Sequence, residues 1–278
     1  MELAEYLDRG VSPFHVVKNV IERLENEGFV GIKPGDSKEL IDGKGYYISP
    51  YPSVVFAFRV NSKKSGMHIG LAHTDSPSFM IKPNPEMPEK PYLRVNVEPY
   101  GGMLKRTWFD RPLGLAGRVM LKNEENVYDP KQVLFDSEEP WFVIPSLAPH
   151  LDHEIETTKI NPQNVMLPIY GLYEGMDSAA GEKVNEDESR NMDSKDLSAG
   201  EVVNEDVSKD SAPGEEVNED ASNDSAAGEE ASKEKSLLER VAAKLSVSSD
   251  DILSYDLYLY NADKSQYIGS KKEMLLAP

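Results

Sequence analysis

At 278 residues and 39% hydrophobic side chains, the chain can bury the cores of roughly two domains, which excludes a protein disordered throughout. Its 49 acidic against 30 basic residues give a net charge of -19 with no basic patch set apart, which argues against nucleic-acid and anionic-membrane partners. It has no cysteine, so disulfides and thiolate-bound zinc are excluded and any metal must be held by histidine and carboxylates.

The first residues, MELAEYLDRG, are acidic where a secretory leader would be basic, and no apolar run approaches the ~20 residues that span a bilayer. With the missing cysteines, this fits a cytoplasmic protein. Ser12 before Pro13 reads as a helix N-cap with proline in the first turn. Val16, Val17, Val20, Ile21 and Leu24 then recur at helical spacing up to a stop at Gly28, which predicts an amphipathic helix. His15 at its start reads as a packing or capping residue. YYISPYPSVVFAFRV and MHIGLAHTDS read as strands, separated by the turn formers Asn61, Ser65 and Gly66. YLRVNVEPYGG alternates Leu93, Val95 and Val97, the pattern of a strand buried on one face. A helix followed by several strands points to an α/β or α+β unit.

Residues 176–235 differ in kind. AGEKVNEDES, AGEVVNEDVS, PGEEVNEDAS and AGEEASKEKS are imperfect copies of one phrase, with glycines at 181, 200, 214 and 228. The window holds 19 acidic and 6 basic residues, a net -13, and no aromatic residue. Such a stretch cannot bury enough surface to offset the entropy of ordering, so it is expected to be a disordered acidic insertion. A solvated spacer in a surface loop is the plain reading; binding of cations or a basic partner is the alternative. A solenoid is disfavoured because no unit has an apolar face to stack. Beyond it, SLLERVAAKLSV predicts a short helix. SYDLYLY predicts a strand with Asp256 and Tyr258 on one face and Leu257 and Leu259 on the other.

In GLAHTDSPSFMIKP, His73 and Asp75 stand two apart at the end of a predicted strand, so both would face one side. A carboxylate beside an imidazole can accept its second N–H, fix its tautomer and raise its basicity as a metal ligand. Alone, such a pair is more often a polar contact at a strand end than a metal site.

The blocks LAHTDSPSFMIKP, YGGMLKRTWFDRPLGLAGRV, IPSLAPHLDHEI and NPQNVMLPIYG occur in that order. They resemble the aspartyl aminopeptidase family of dinuclear zinc exopeptidases, over nearly all of the chain outside the acidic repeat. The block TWFDRPLGLAGRV also admits a plain reading as strand, turn and strand with Trp108 and Phe109 in the core, which is compatible with the family.

The resemblance implies an α/β proteolytic domain, here partial, interrupted by a strand-rich dimerisation domain. Residues 1–80 and 255–278 would be proteolytic and 81–254 dimerising, with the disordered acidic repeat as a loop insertion within the latter. It implies large homo-oligomers, a peptide substrate and two zinc ions in the complete enzyme. His73 matches the first zinc ligand of the family, and Asp75 the active-site acidic residue that supports it. His150 matches a substrate-side histidine that reaches into a neighbouring subunit's active site; a structural loop histidine is the alternative. His68 and His153 match no role. Lys105, Arg106 and Pro149 depart from the usual pattern, which bears on the local interface.

A two-zinc peptidase also needs a bridging carboxylate, further Asp, Glu and His ligands, and a glutamate as general base. In the family these follow blocks beyond the equivalent of Pro278. The apolar run Met274, Leu275, Leu276 and Ala277, with nothing after it to cover it, also suggests an interrupted domain. The expectation is an aminopeptidase in truncated or split form, inactive alone and not holding zinc tightly. The alternative is a non-catalytic oligomerisation module derived from one.

Overall fold

The N-terminal element is a short helix, α1 (Leu3–Asp8), and the second, α2 (Pro13–Asn26), is the predicted amphipathic helix. This computed structural model describes residues 2–36, 39–61, 66–89, 91–147, 160–172 and 236–278. Ser12 caps α2: its hydroxyl oxygen accepts from the His15 amide and lies 2.8 Å from His15 Nδ1. The helix stops where Gly28 takes the left-handed conformation that a side chain resists, φ 80°.

Burial pushes the His15 pKa down, opposed by the nearby Asp136 carboxylate and assisted by Lys18. The unfolded chain, with an imidazole pKa of about 6.5, therefore binds that proton more readily than the folded one. The stability contributed by neutral His15 is complete above the unfolded pKa and is lost as pH falls through the folded pKa. His15→Gln is expected to flatten the acid-side fall of Tm between about pH 7 and about pH 5. A wild-type Tm that does not fall over that range would contradict it.

β1 (Val30–Gly31), β2 (Gly45–Tyr51) and β3 (Val54–Arg59) form a small sheet, β1 parallel to β2 and β2 antiparallel to β3. The stretch YYISPYPSVVFAFRV is thus a hairpin rather than one strand. Pro50 and Pro52 lack the amide protons a continuous ladder needs, and the pair Tyr51 and Val54 closes a turn at Pro52 and Ser53.

The main sheet contains β4 (Ser78–Glu89), β5 (Tyr92–Tyr100), β6 (Leu113–Leu121), β7 (Lys131–Asp136), β8 (Ile169–Leu172) and β9 (Ile252–Asn261). Their spatial order is β7-β6-β9-β4-β5-β8, and every pairing is antiparallel. The parallel arrangement of an α/β domain is represented among the described residues by β1 and β2 alone. Two further helices, α3 (Pro162–Val165) and α4 (Leu237–Leu245), two short 3-10 helices (Lys105–Trp108 and Ser249–Asp251), and the antiparallel hairpin β10 (Gln266–Ile268) and β11 (Met274–Leu276) complete the described elements. The terminal apolar run is thus paired, although Met274 and Leu276 remain exposed.

The core follows the alternation read from the sequence. Leu93, Val95 and Val97 of β5 are buried, as are Leu257 and Leu259 of β9, with Asp256 and Tyr258 on the opposite face. Leu237 and Val241 of α4 join this core, and a capping box between Ser236 and Glu239 sets the helix start. On the α2 side, the Arg118 guanidinium lies 5.0 Å from the Phe14 ring centroid and its Nε donates to Asp256 at 2.5 Å. The described residues lie in one compact unit. The expected divisions after residues 80 and 254 fall inside β4 and β9. No described helix is long and apolar enough to cross a membrane. The acidic repeat at 176–235, together with Pro149, His150 and His153, lies outside the described residues.

Candidate metal-binding site

The predicted strand over MHIGLAHTDS does not form. Residues 66–77 have no ladder partner among the described residues, and Leu71 is 93% exposed. An apolar run with strand propensity becomes a strand only beside another strand, and none described lies there. His73 and Asp75 nevertheless meet, and irregular backbone places them. The Thr74 hydroxyl, between them, donates to the Ser53 carbonyl at 2.8 Å, which ties this segment to the β2–β3 turn. On the far side, the buried Ser78 hydroxyl donates to the Leu259 carbonyl at 2.6 Å, anchoring the start of β4 to β9.

His73 Nδ1 lies 2.8 Å from Asp75 Oδ1, and the Tyr100 hydroxyl donates to Asp75 Oδ2 at 2.8 Å. An ionised carboxylate only accepts, so the neutral imidazole presents Nδ1–H to it and keeps its lone pair on Nε2. The contact with His73, then that with Tyr100, holds the Asp75 carboxyl below its ordinary range. The same hydrogen bond pushes the Tyr100 hydroxyl up. The His73 side chain is 90% exposed, so its second nitrogen is open to solvent.

This geometry fits one arm of a zinc site, a histidine oriented by a carboxylate. Among the described residues no three or more histidine or acidic side chains gather as a metal cage, so a full ligand set is not assembled there. His15 serves α2, His68 is exposed, and His150 falls outside the described residues.

Tyr100 was not assigned a role by sequence reasoning. It stands 25 positions from Asp75, and only the register of β4 with β5, which pairs Ser78 with Tyr100, brings it there. The TWFD block gains a structural reading as well. Trp108 packs edge-on against Phe79 with ring centroids 5.2 Å apart. Asp110, in the left-handed region at φ 57°, accepts from the Ser146 amide at 2.9 Å and from its hydroxyl. Those bonds hold the Asp110 carboxyl low and pin the segment that leads toward His150. Lys105 donates to the Ile160 carbonyl at 3.0 Å. A cleft of about 590 Å³ opens beside Thr74 and Ser76, with Trp108, Arg111, Tyr260 and Lys264 in its lining.

The likeness to known proteins covers the same ground. Residues 6–278 match the family model described as aminopeptidase I zinc metalloprotease (M18). The probable M18 family aminopeptidase 2 of Clostridium acetobutylicum is 31% identical over 279 residues, covering 99% of this chain and 52% of that protein. The aspartyl aminopeptidase of Aspergillus oryzae is 32% identical over 284 residues, covering 100% of this chain and 52% of that protein. A chain in the cryo-EM structure of the Ape4 and Nbr1 complex superposes with a TM-score of 0.69 at 25% identity, covering 98% of this chain and 45% of that one. The S. cerevisiae mApe1 dodecamer gives 0.61 at 19% identity over 98% of this chain and 50% of that one, a likeness of fold. The chain spans about half the length of the curated relatives it matches. It belongs to the M18 family of aminopeptidase I zinc metalloproteases.

Proposed function

We propose that this chain contributes to a zinc-dependent aminopeptidase that removes N-terminal residues from peptides, with His73 as a zinc ligand and Asp75 as the carboxylate that orients it. The observation that carries the reading is the 2.8 Å contact of His73 Nδ1 with Asp75 Oδ1 on an exposed imidazole, in a chain matched by the family over residues 6–278. Zinc in such a site supplies a Lewis acid that polarises a peptide carbonyl. What this chain's own residues do is narrower. Asp75 keeps the Nδ1 proton, and His73 offers Nε2.

The same reading places residues 1–80 and 255–278 in a proteolytic domain and 81–254 in a dimerisation domain. His150 then acts on the substrate side of a neighbouring active site in a cytoplasmic homo-oligomer, with two zinc ions in the complete site. The dodecamer of a relative supports the assembly.

A single described arm holds metal weakly, so the 278-residue chain is expected to take up substoichiometric zinc and to be inactive alone. Zinc added to the chain is expected to shift the His73 imidazole NMR signals first, and His73→Ala to weaken uptake at least ~10-fold. Hydrolysis of aspartyl and leucyl reporter substrates is expected to stay at background with or without chelator. Uptake indifferent to His73→Ala would overturn the ligand assignment. Chelator-sensitive turnover would overturn the inactivity, and the further ligands would then come from outside the described residues.

A further inference from the structure

We propose that Tyr100 is the positioning residue of this arm: its hydroxyl fixes the Asp75 carboxylate, and through it the tautomer and orientation of the His73 ring. The proposal rests on the reading of His73 as the ligand, but its first test does not need a metal.

An imidazole that is 90% exposed has little packing to hold it, so its orientation depends on its hydrogen bond. That partner, Asp75, sits on irregular backbone, where a carboxylate held at one oxygen can swing about its terminal torsion. In this structure both oxygens are engaged, Oδ1 by His73 and Oδ2 by Tyr100, each at 2.8 Å. Two contacts define the plane of the carboxylate, and the second comes from the rigid side. Tyr100 ends β5 opposite Ser78, whose hydroxyl is bonded to β9. Its ring meets Tyr258 of β9 edge-on, with centroids 5.5 Å apart at 72°. Gly101, in the left-handed region at φ 73°, turns the chain immediately after it. The order of the antiparallel sheet is thus passed by one phenolic hydroxyl to an exposed ligand.

Tyrosine suits the task chemically. Its O–H donates to a carboxylate in a charge-assisted bond and competes for neither the imidazole proton nor the metal-facing nitrogen. Phenylalanine at 100 keeps the ring against Tyr258 and removes only the donor.

The test is nitrogen NMR of His73 in the metal-free 278-residue chain, read at an alkaline pH above which its signals no longer move. The wild type is expected to show one tautomer, protonated at Nδ1. Tyr100→Phe is expected to show a mixture of tautomers with Tm unchanged, and Asp75→Asn gives the full size of the change. With zinc, Tyr100→Phe is expected to lower affinity by ~10-fold, less than His73→Ala. A single Nδ1–H tautomer retained in Tyr100→Phe overturns the positioning role. Mixed tautomers in Tyr100→Phe, together with zinc uptake indifferent to His73→Ala, would keep the positioning and overturn the ligand reading instead.

Discussion

Gly117→Ala is expected to cause one of the largest losses of stability that a single added methyl group can produce in this chain. β6 lies between β7 and β9, and a Cβ built on Gly117 falls 1.9 Å from the Asp256 carbonyl oxygen and 2.9 Å from its carbonyl carbon. Those atoms are backbone of β9 and cannot rotate away. The sheet must therefore open along the pairing that runs from Leu113 with Asn261 to Leu121 with Ile252. Arg118, whose Nε reaches Asp256, would move with it and loosen its stacking over Phe14. Overpacking typically costs about 1–3 kcal/mol, and a clash with central backbone belongs at or above the top of that range. Gly114, three residues earlier, is the control. Its Cβ would meet the far end of the Tyr260 ring at 2.4 Å, a side chain that can swing aside at the loss of its bond to Asp136. Urea midpoints of the two variants decide the matter: the account fails if Gly117→Ala costs no more than Gly114→Ala.

That comparison also marks how far the sequence could be read. Helix α2 was legible because its signals are local: Ser12 caps, Pro13 starts, valines and isoleucine repeat, Gly28 stops. β5 and β9 were legible because alternation along one strand reveals which face is buried, and Leu93, Val95, Val97, Leu257 and Leu259 are all in the core. What a strand pairs with was not legible. MHIGLAHTDS has the composition of a strand, but pairing is a property of two segments, and residues 66–77 have no described partner. The bend at Pro50 and Pro52 was visible in the letters and was overridden by the apolar run around it. The contact of His73 with Asp75 was readable from a spacing of two, although a loop delivers it. Tyr100 was not, because its approach to Asp75 depends on the register of β4 with β5. Gly117 is intermediate: a glycine inside a strand pattern signals close backbone approach, without naming the backbone that approaches.

Phe79→Ala is expected to be the other severe change, and it reaches the site from below. Phe79 is fully buried, four residues after Asp75 and one after Ser78, whose hydroxyl anchors β4 to β9. Truncating a buried phenylalanine costs about 3–5 kcal/mol through lost transfer energy and the cavity left behind. The edge-on contact with Trp108 is part of that loss, so the TWFD block would loosen together with β4. At roughly 2–4 °C per kcal/mol for a chain of this size, Tm should fall on the order of 10 °C. Phe79→Leu, which refills most of the space, should recover much of the loss and keep the pairing of Ser78 with Tyr100. Leu71→Ala provides the contrast within the same stretch: an equally apolar residue that is 93% exposed should change stability by no more than about 0.5 kcal/mol. Thermal unfolding of the three variants separates the alternatives. Equal losses in Leu71→Ala and Phe79→Ala would mean that Met67 to Ala72 is packed in solution and that the open segment beside His73 is not the native arrangement. The expected order, with Phe79→Ala far below the other two, places the folding energy under Asp75 in the β4–β9 core. The loop that carries His73 then contributes little to stability and is free to serve the site.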